Sequence, residues 1–277
     1  MAFLYLLSSK LILLEIIDKI EFKFMKYHIF IPVRLKSERL PKKALKKIDD
    51  KPIIQYLIER LHQLKKINDI IICTTTEESD NELIDFLEKN HFSYFRGSTE
   101  DILDRFLHAS MKFNSDFIIA IDGDDIYCDP DLIAKIIDEF ENSNADCIKI
   151  ENVPTGFTSF GFKTSTLKKI CQLKKTSNTE TGYLRFFDND KLFVIKRIMI
   201  KLKTSFPQNL RMSLDYEEDF KIAEIIFKKM GNNFHIEDIL KFLYNNPSII
   251  NELNALQTKW DKHWNKNLTD CSMRDTY

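Results

Sequence analysis

The chain has 277 residues, 44% hydrophobic and 30% charged, enough to bury one substantial core or two modest ones, so an enzyme-sized globular protein is expected. Its 41 Lys and Arg nearly cancel 42 Asp and Glu, which excludes a global field that attracts nucleic acid; an anion site must be built locally. The five cysteines, Cys73, Cys128, Cys147, Cys171 and Cys271, are scattered without a C-x-x-C pair, which disfavours a zinc site or a disulfide framework and points to reduced thiols in a cytoplasmic protein.

Residues Ala2 to Ile17 are rich in Leu and Ile. They lack a basic start and a small-residue cleavage site, and Ser8, Ser9 and Lys10 interrupt the run well short of the roughly 20 residues a membrane span needs. Neither a signal peptide nor an anchor is expected, and no membrane partner. Met25 stands just before the first good strand pattern, so residues 1–24 read as an N-terminal extension, a loosely packed helix.

Tyr27 to Val33 is a short apolar run that breaks at Pro32 into a loop carrying Arg34, Lys36, Arg39, Lys42 and Lys43. Further strand-like runs follow at Ile70 to Thr74, Phe117 to Ile121 and Cys147 to Ile150. Between them Ile54, Leu57, Ile58, Leu61 and Leu64 share one helical face, and Ile102, Leu103, Phe106 and Ala109 another. This alternation predicts an α/β, Rossmann-like three-layer fold with a mostly parallel sheet. Ser98 with Asp101 has the spacing of a capping box, and Asp129 before Pro130 that of an N-cap. From about 155 to 210 the alternation loosens, with strands near Leu192 to Ile195 and Ile198 to Ile200, and an inserted acceptor or dimerisation subdomain is expected. Helices are predicted over Glu217 to Lys229, stopped by Gly231, over Ile236 to Leu243, and over Ser248 to Trp260. Residues 25–260 thus form the main domain, and the polar tail, 261–277, is expected to fray.

Three pieces carry chemistry. In the basic loop Arg34, Arg39 and Lys43 suit a triphosphate, since guanidinium forks grip phosphate oxygens bidentately and Lys supplies a point charge; the alternative is a solvated charged turn. Asp122-Gly123-Asp124-Asp125 ends a buried strand in carboxylates, hard ligands of the kind Mg²⁺ takes one or two at a time beside substrate phosphates. It reads equally as an acidic turn with Gly123 at positive φ. Leu210-Arg211-Met212-Ser213-Leu214-Asp215 is another apolar run ending in a carboxylate, and by itself Asp215 is most simply the N-cap of the next helix. A parallel sheet can bring all three to one edge, which favours a nucleotide with its metal there.

These residues resemble the cytidylyltransferases that make CMP-3-deoxy-octulosonate and CMP-acylneuraminates, and more closely their relatives of the spore-coat polysaccharide protein F type. Pro32, Arg34, Ser37, Arg39, Leu40, Pro41, Lys43 and Leu45 match the signature I-P-A-R-x-x-S-x-R-L-P-G-K-P-L. Lys51-Pro52-Ile53-Ile54, Phe95-Arg96-Gly97-Ser98 with Asp101, Asp104 and Arg105, Gly123-Asp124 with Asp129-Pro130, and Leu214-Asp215 with Glu218-Asp219 resemble later motifs, and Asn246-Pro247 begins a similar tail. Lys42, Ala44 and Asp50 stand where the family has Gly, Pro and Gly, which implies a reshaped loop.

The resemblance implies transfer of CMP from CTP to an acidic sugar, a phosphate or a phosphonate, with Mg²⁺ on Asp124 and Asp215. Arg34, Arg39 and Lys43 would stabilise the leaving pyrophosphate; Pro32, Ser37 and Gly123 complete the cradle, and Thr74, Thr75, Asp104 and Arg105 lie near the nucleobase. The acceptor is expected at Glu180, Tyr183 and Arg185, or at Arg211. The aromatics beside Glu180 and Arg185 read equally as a small core or dimer face, and Arg211 equally as a surface residue. A homodimer is also implied. Two rival readings are a glycosyltransferase using Asp122-Gly123-Asp124 as a D-x-D metal motif, and a degenerate nucleotide-binding subunit.

Overall fold

The computed structural model describes residues 25–157 and 159–274; the extension expected over 1–24 lies outside them. Strand β1 (Tyr27–Pro32) is central because Ile29, Phe30 and Ile31 are apolar in sequence and so buried on both faces, as a parallel strand between two helical layers must be. The short strands β2 (Lys47–Ile48) and β3 (Lys51–Pro52) form a hairpin, followed by α1 (Ile53–Leu61), β4 (Asp69–Thr75), α2 (Asn81–Lys89) and β5 (Tyr94–Gly97). Then come α3 (Ile102–Phe113), β6 (Phe117–Ala120), α4 (Pro130–Glu141), β7 (Cys147–Glu151), β8 (Phe160–Lys163), α5 (Thr164–Leu173) and β9 (Ile195–Met199). Helices α6 (Glu217–Met230), α7 (Ile236–Tyr244) and α8 (Pro247–Asn267) finish the chain.

The main sheet has seven strands in the order β5-β4-β1-β6-β8-β7-β9, and only β8 runs against the others. Because side chains alternate along a strand, Ile29 and Ile31 of β1 join one core with α1, α2, α4, α6 and α7, while Phe30 joins a second core with α3 and α5. This is the α/β three-layer architecture predicted from the alternation. The carboxyl ends of β1, β4 and β6 lie side by side, where ligands of such sheets collect.

Local signals explain most boundaries. Asp129 caps α4 by accepting from Asp131 N at 3.0 Å, with Pro130 in the first turn. Its other oxygen accepts from Ile236 N at 2.8 Å, so one buried carboxylate also holds the start of α7. For α3 the cap is Asp101, bonded to Asp104 N, while Ser98 Oγ accepts from Asp101 N; the cap sits three residues later than the Ser98 capping box predicts.

The 155–210 segment gives β8 and β9 to the main sheet and α5 to one of its faces. One edge strand, Ile195–Met199, replaces the two short ones predicted, and its half-exposed Ile and Lys/Arg mixture explains why the alternation looked weak. Helix α8 runs to Asn267, past the predicted end at Trp260, because no Gly or Pro intervenes to stop it. Among the described residues no helix is long and apolar enough to cross a membrane.

Asp129→Ala should remove two helix caps at once and cost about 2 kcal/mol or more of stability, against roughly 1 for an ordinary single cap, as read by denaturant unfolding.

Candidate active site

After β1 the chain stays beside β4 for one more residue, Val33 N donating to Cys73 O at 3.1 Å, and then turns outward. Leu35, Leu40 and Ala44 are buried and pin the loop, while Arg34, Lys36 and Lys42 are exposed and Arg39 and Lys43 are half-buried. Ser37 N and Lys42 N both donate to Leu35 O, at 3.0 and 3.1 Å, and Ser37 Oγ accepts from Leu40 N at 3.3 Å. Ser37 thus shapes the loop from within. Lys42 takes φ 54 and Asp50 φ 63, left-handed values at the two positions where the resembled family has glycine. At both positions the backbone carries the strain of a side chain in the left-handed region.

At the end of β6, Gly123 is not at positive φ, contrary to the acidic-turn reading. A Cβ there would lie 2.6 Å from Val33 Cγ2 and 3.0 Å from Pro32 O. Glycine is needed because the carboxylate turn is pressed against the end of β1, so the polyanion loop and the acidic turn share one edge. The third piece is tied on when Leu214 N donates to Asp124 O at 2.9 Å.

Lys43 is where the three meet. Its Nζ donates to Asp124 Oδ2 at 2.5 Å, to Leu214 O at 2.9 Å and to Asp215 Oδ1 at 3.4 Å. Arg39 donates to the same oxygen of Asp215. Beneath them Arg211, 1% exposed, donates to Asp215 Oδ2 at 3.3 Å and forks onto Asp219 at 2.9 and 3.1 Å. Burial alone would raise the pKa of Asp215, but Lys43, Arg39 and Arg211 outweigh it and hold the carboxyl at about 2. Asp122 is in the opposite situation. Burial, then the neighbouring Asp124 charge, push it up to about 7, and Asp125 is raised well above the carboxylate range for the same reasons.

The comparisons with known proteins bear on this edge. A family model described as Cytidylyltransferase matches residues 28–260. The chain belongs to the cytidylyltransferase family. It is similar to an uncharacterized protein of Methanocaldococcus jannaschii, 32% identical, covering 82% of this chain and 94% of that one. The spore coat polysaccharide biosynthesis protein SpsF of Bacillus subtilis is 24% identical over 81% of this chain and 97% of its own. Among solved structures, a cytidylyltransferase from Leptospira borgpetersenii superposes with TM-score 0.74 at 25% identity, covering 82% of this chain and 97% of that one.

Several residues expected to touch ligand make contacts within the frame of this cytidylyltransferase. Thr74 and Thr75 are buried, and their hydroxyls donate to Asp80 Oδ2 at 3.0 and 2.5 Å. Asp80 also accepts from Leu35 N at 2.7 Å, so it couples β4 to the polyanion loop. Sequence reasoning missed Asp80, because an acidic residue before a helix reads as a cap. Arg105 is 1% exposed and donates to Ser98 O, Thr99 O and Cys73 O, at 2.8, 3.1 and 3.4 Å. Asp104 faces solvent on α3 beside His108.

Arg211 is neither the open acceptor contact nor the surface residue it was expected to be; it lies under Asp215. Asp215 is not the helix cap either. The N-cap of α6 is Tyr216, and Asp219 reaches back to Asp215 N and Tyr216 N, both at 2.9 Å. Glu180 pairs with Arg105 at 2.7 Å and with Arg34 at 3.3 Å, holding the exposed Arg34 at the rim. Tyr183 is buried, packs edge-on against Phe106 and donates to Asp122 Oδ1 at 2.9 Å. Arg185 is exposed and donates to Thr269 O at 3.2 Å.

Replacing Arg211 with Leu leaves Asp215 and Asp219 buried without their cation and should cost about 3–5 kcal/mol of stability in urea unfolding. Lys42→Gly, in contrast, should gain up to about 1 kcal/mol, since relief of left-handed strain outweighs the exposed pair that Lys42 forms with Glu82.

Proposed function

We propose that this cytidylyltransferase transfers CMP from CTP to an anionic small-molecule acceptor, an acidic sugar or a phosphorylated or phosphonate compound, and releases pyrophosphate. The observation that carries the reading is the single ammonium of Lys43, which joins the strand-end carboxylates Asp124 and Asp215 to the cationic loop of Arg34 and Arg39. Three sequence segments far apart converge on a point where a polyphosphate and its counter-ion fit together.

An oxygen of the acceptor attacks the α-phosphorus of CTP, the new P–O bond forms, and the bond to the bridging oxygen of the β-phosphate breaks, so that pyrophosphate carries away the electron pair. Positioning and charge stabilisation do most of the work in such displacements. Arg39 and Lys43 are half-buried, with side-chain exposures of 24% and 16%, so their charge acts in a medium less screened than water. Arg34, held at the rim by Glu180, offers a guanidinium fork to the terminal phosphates.

A divalent cation, Mg²⁺ by its liking for paired carboxylates and phosphate oxygens, would be held by Asp124 and Asp215, both of which already converge on one positive charge. When bound, such an ion neutralises charge building up on the transferred phosphoryl group. Asp215, ionised down to about pH 2, is available for it throughout the physiological range.

The glycosyltransferase reading is less well supported. A D-x-D site would use Asp122, yet that carboxyl accepts from the buried Tyr183 hydroxyl and is pushed up to about 7. It also leaves the Arg34 to Lys43 loop without a role. The likeness to the spore-coat protein supports a place in surface glycan or glycoconjugate biosynthesis, and we extend the reading to a cytoplasmic homodimer.

A pyrophosphate-release screen crossing the four nucleoside triphosphates with acidic sugars, sugar phosphates and phosphonates, in the presence of Mg²⁺, tests the reaction. CTP should give the highest turnover, and CTP binding without pyrophosphate from any acceptor would favour a degenerate subunit. Asp124→Asn and Asp215→Asn, which keep the side-chain shape and a hydrogen-bond acceptor, should each lower kcat by about two orders of magnitude or more, with the fold intact by circular dichroism. Unchanged turnover in either variant would sink the metal assignment.

A further inference from the structure

The last part of the chain, beyond the residues 28–260 matched by the family model, is folded against the active site. On α8 the inward stripe runs Leu253, Leu256, Trp260, then His263 and Trp264, the spacing of one helical face. Leu253 and Leu256 are buried; Leu253 borders a small buried space with Met212, Leu214 and Ile222, directly under the Asp215 segment. Past Leu256 the stripe changes from aliphatic to indole and imidazole, and these side chains are only half-buried. A stripe that served packing alone would have no reason to become polar there.

Two sets of contacts fix where this arm lies. On one side Lys259 Nζ sits 4.1 Å over the ring of Tyr216, the residue after Asp215, and the Arg39 guanidinium carbon lies 5.6 Å from the same ring. On the other side Thr269 N donates to Thr181 O at 3.1 Å and Arg185 donates to Thr269 O at 3.2 Å. Gly182 is at φ 82, and a Cβ on it would lie 2.9 Å from Leu268 Cδ1 and 3.5 Å from Trp264 Cζ2. The tail then pairs with the end of α5, Lys175 N donating to Ser272 O at 3.2 Å and Arg274 N to Leu173 O at 2.8 Å.

Thus the arm bridges the Asp215 side of the cleft to the 180–183 turn, whose Glu180 holds Arg34 and whose Tyr183 holds Asp122. His263 lies where it feels Arg39, Asp215 and Glu38. Burial, then Arg39, lower its pKa against the pull of the two carboxylates, and Asn267 Nδ2 lies 3.2 Å from its Nε2, a pairing that leaves Nδ1 to donate a hydrogen bond.

We infer that residues 260–268 form the outer wall of the acceptor subsite, with His263 and Trp264 as its side-chain contacts to the acceptor. This deepens, and rests on, the nucleotidyl-transfer reading. The phosphate loop and the aspartates take the nucleotide from the sheet side, and the arm takes the acceptor from the solvent side. The acceptor class that fits is a polyhydroxylated compound: the indole covers an apolar sugar face and the imidazole bonds a hydroxyl.

His263→Ala and Trp264→Ala test it with the acceptor that gives most pyrophosphate in the screen. The expected result is an acceptor KM raised about tenfold, with the KM for CTP within about twofold of the parent. Equal rises in both constants, or none in either, would overturn the wall, and His263→Gln should recover part of the loss if the ring acts as a hydrogen-bond donor.

A second readout does not need turnover. The only tryptophans of the chain, Trp260 and Trp264, are stacked at 4.9 Å on this arm, so intrinsic fluorescence reports it directly. Titration of the full chain, with and without CTP, with 3-deoxy-octulosonate, N-acetylneuraminate and a hexose 1-phosphate should give a saturable change for at least one probe. Flat emission with every probe refutes the wall, whereas a saturable change without pyrophosphate release refutes nucleotidyl transfer and leaves the wall standing.

Discussion

A positive charge held among carboxylates at the mouth of a parallel sheet is the constraint on which the rest of the molecule depends. Lys43, Arg39 and Arg211 stand against Asp124, Asp215 and Asp219, and the most deeply buried of the six, Arg211, Asp215 and Asp219, balance one another's charge. Desolvating a charge costs several kcal/mol, and only close opposite partners offset it. The cluster therefore keeps three chain segments in register before any ligand arrives. Charges ordered in this way need little reorganisation of the backbone around them.

A second tier of buried polar groups holds this cluster in place. Asp80 joins the hydroxyls of β4 to the amide of Leu35, Arg105 gathers three carbonyls and Glu180, and Asp219 collects two backbone amides and Arg211. Each is satisfied by groups of defined direction, so each restrains the loop or turn it touches. The residues that bear chemistry sit on loops, and the residues that hold those loops sit on strands and helix starts.

The pieces legible in the sequence were those with short-range signals. Apolar runs marked β1, β4, β6 and β7, the Asp129-Pro130 pair marked α4, and the charge types of Arg39, Lys43, Asp124 and Asp215 pointed to side chains that the fold brings together. Where the signal was local but its partner distant, inference stopped. Thr74 and Thr75 were placed near the nucleobase by family resemblance, and nothing local to them announces that Asp80 accepts from their hydroxyls. Arg211 looked exposed because nothing in its neighbourhood announces that Asp219, eight residues on, folds back beneath it. The end of α8 looked disposable because polar composition is the same for a solvated tail and for the rim of a cleft.

By itself, then, the sequence determined the layer order, the parallel sheet and the family motifs, since periodicity and residue charge are properties of a few neighbouring positions. Only the tertiary structure decided which cations meet which carboxylates, that Gly123 is there for close approach rather than for its φ, and that α8 lies over Tyr216 with its end against Gly182. Those outcomes depend on contacts between residues up to 176 positions apart, and such pairings arise from packing, which no local pattern encodes.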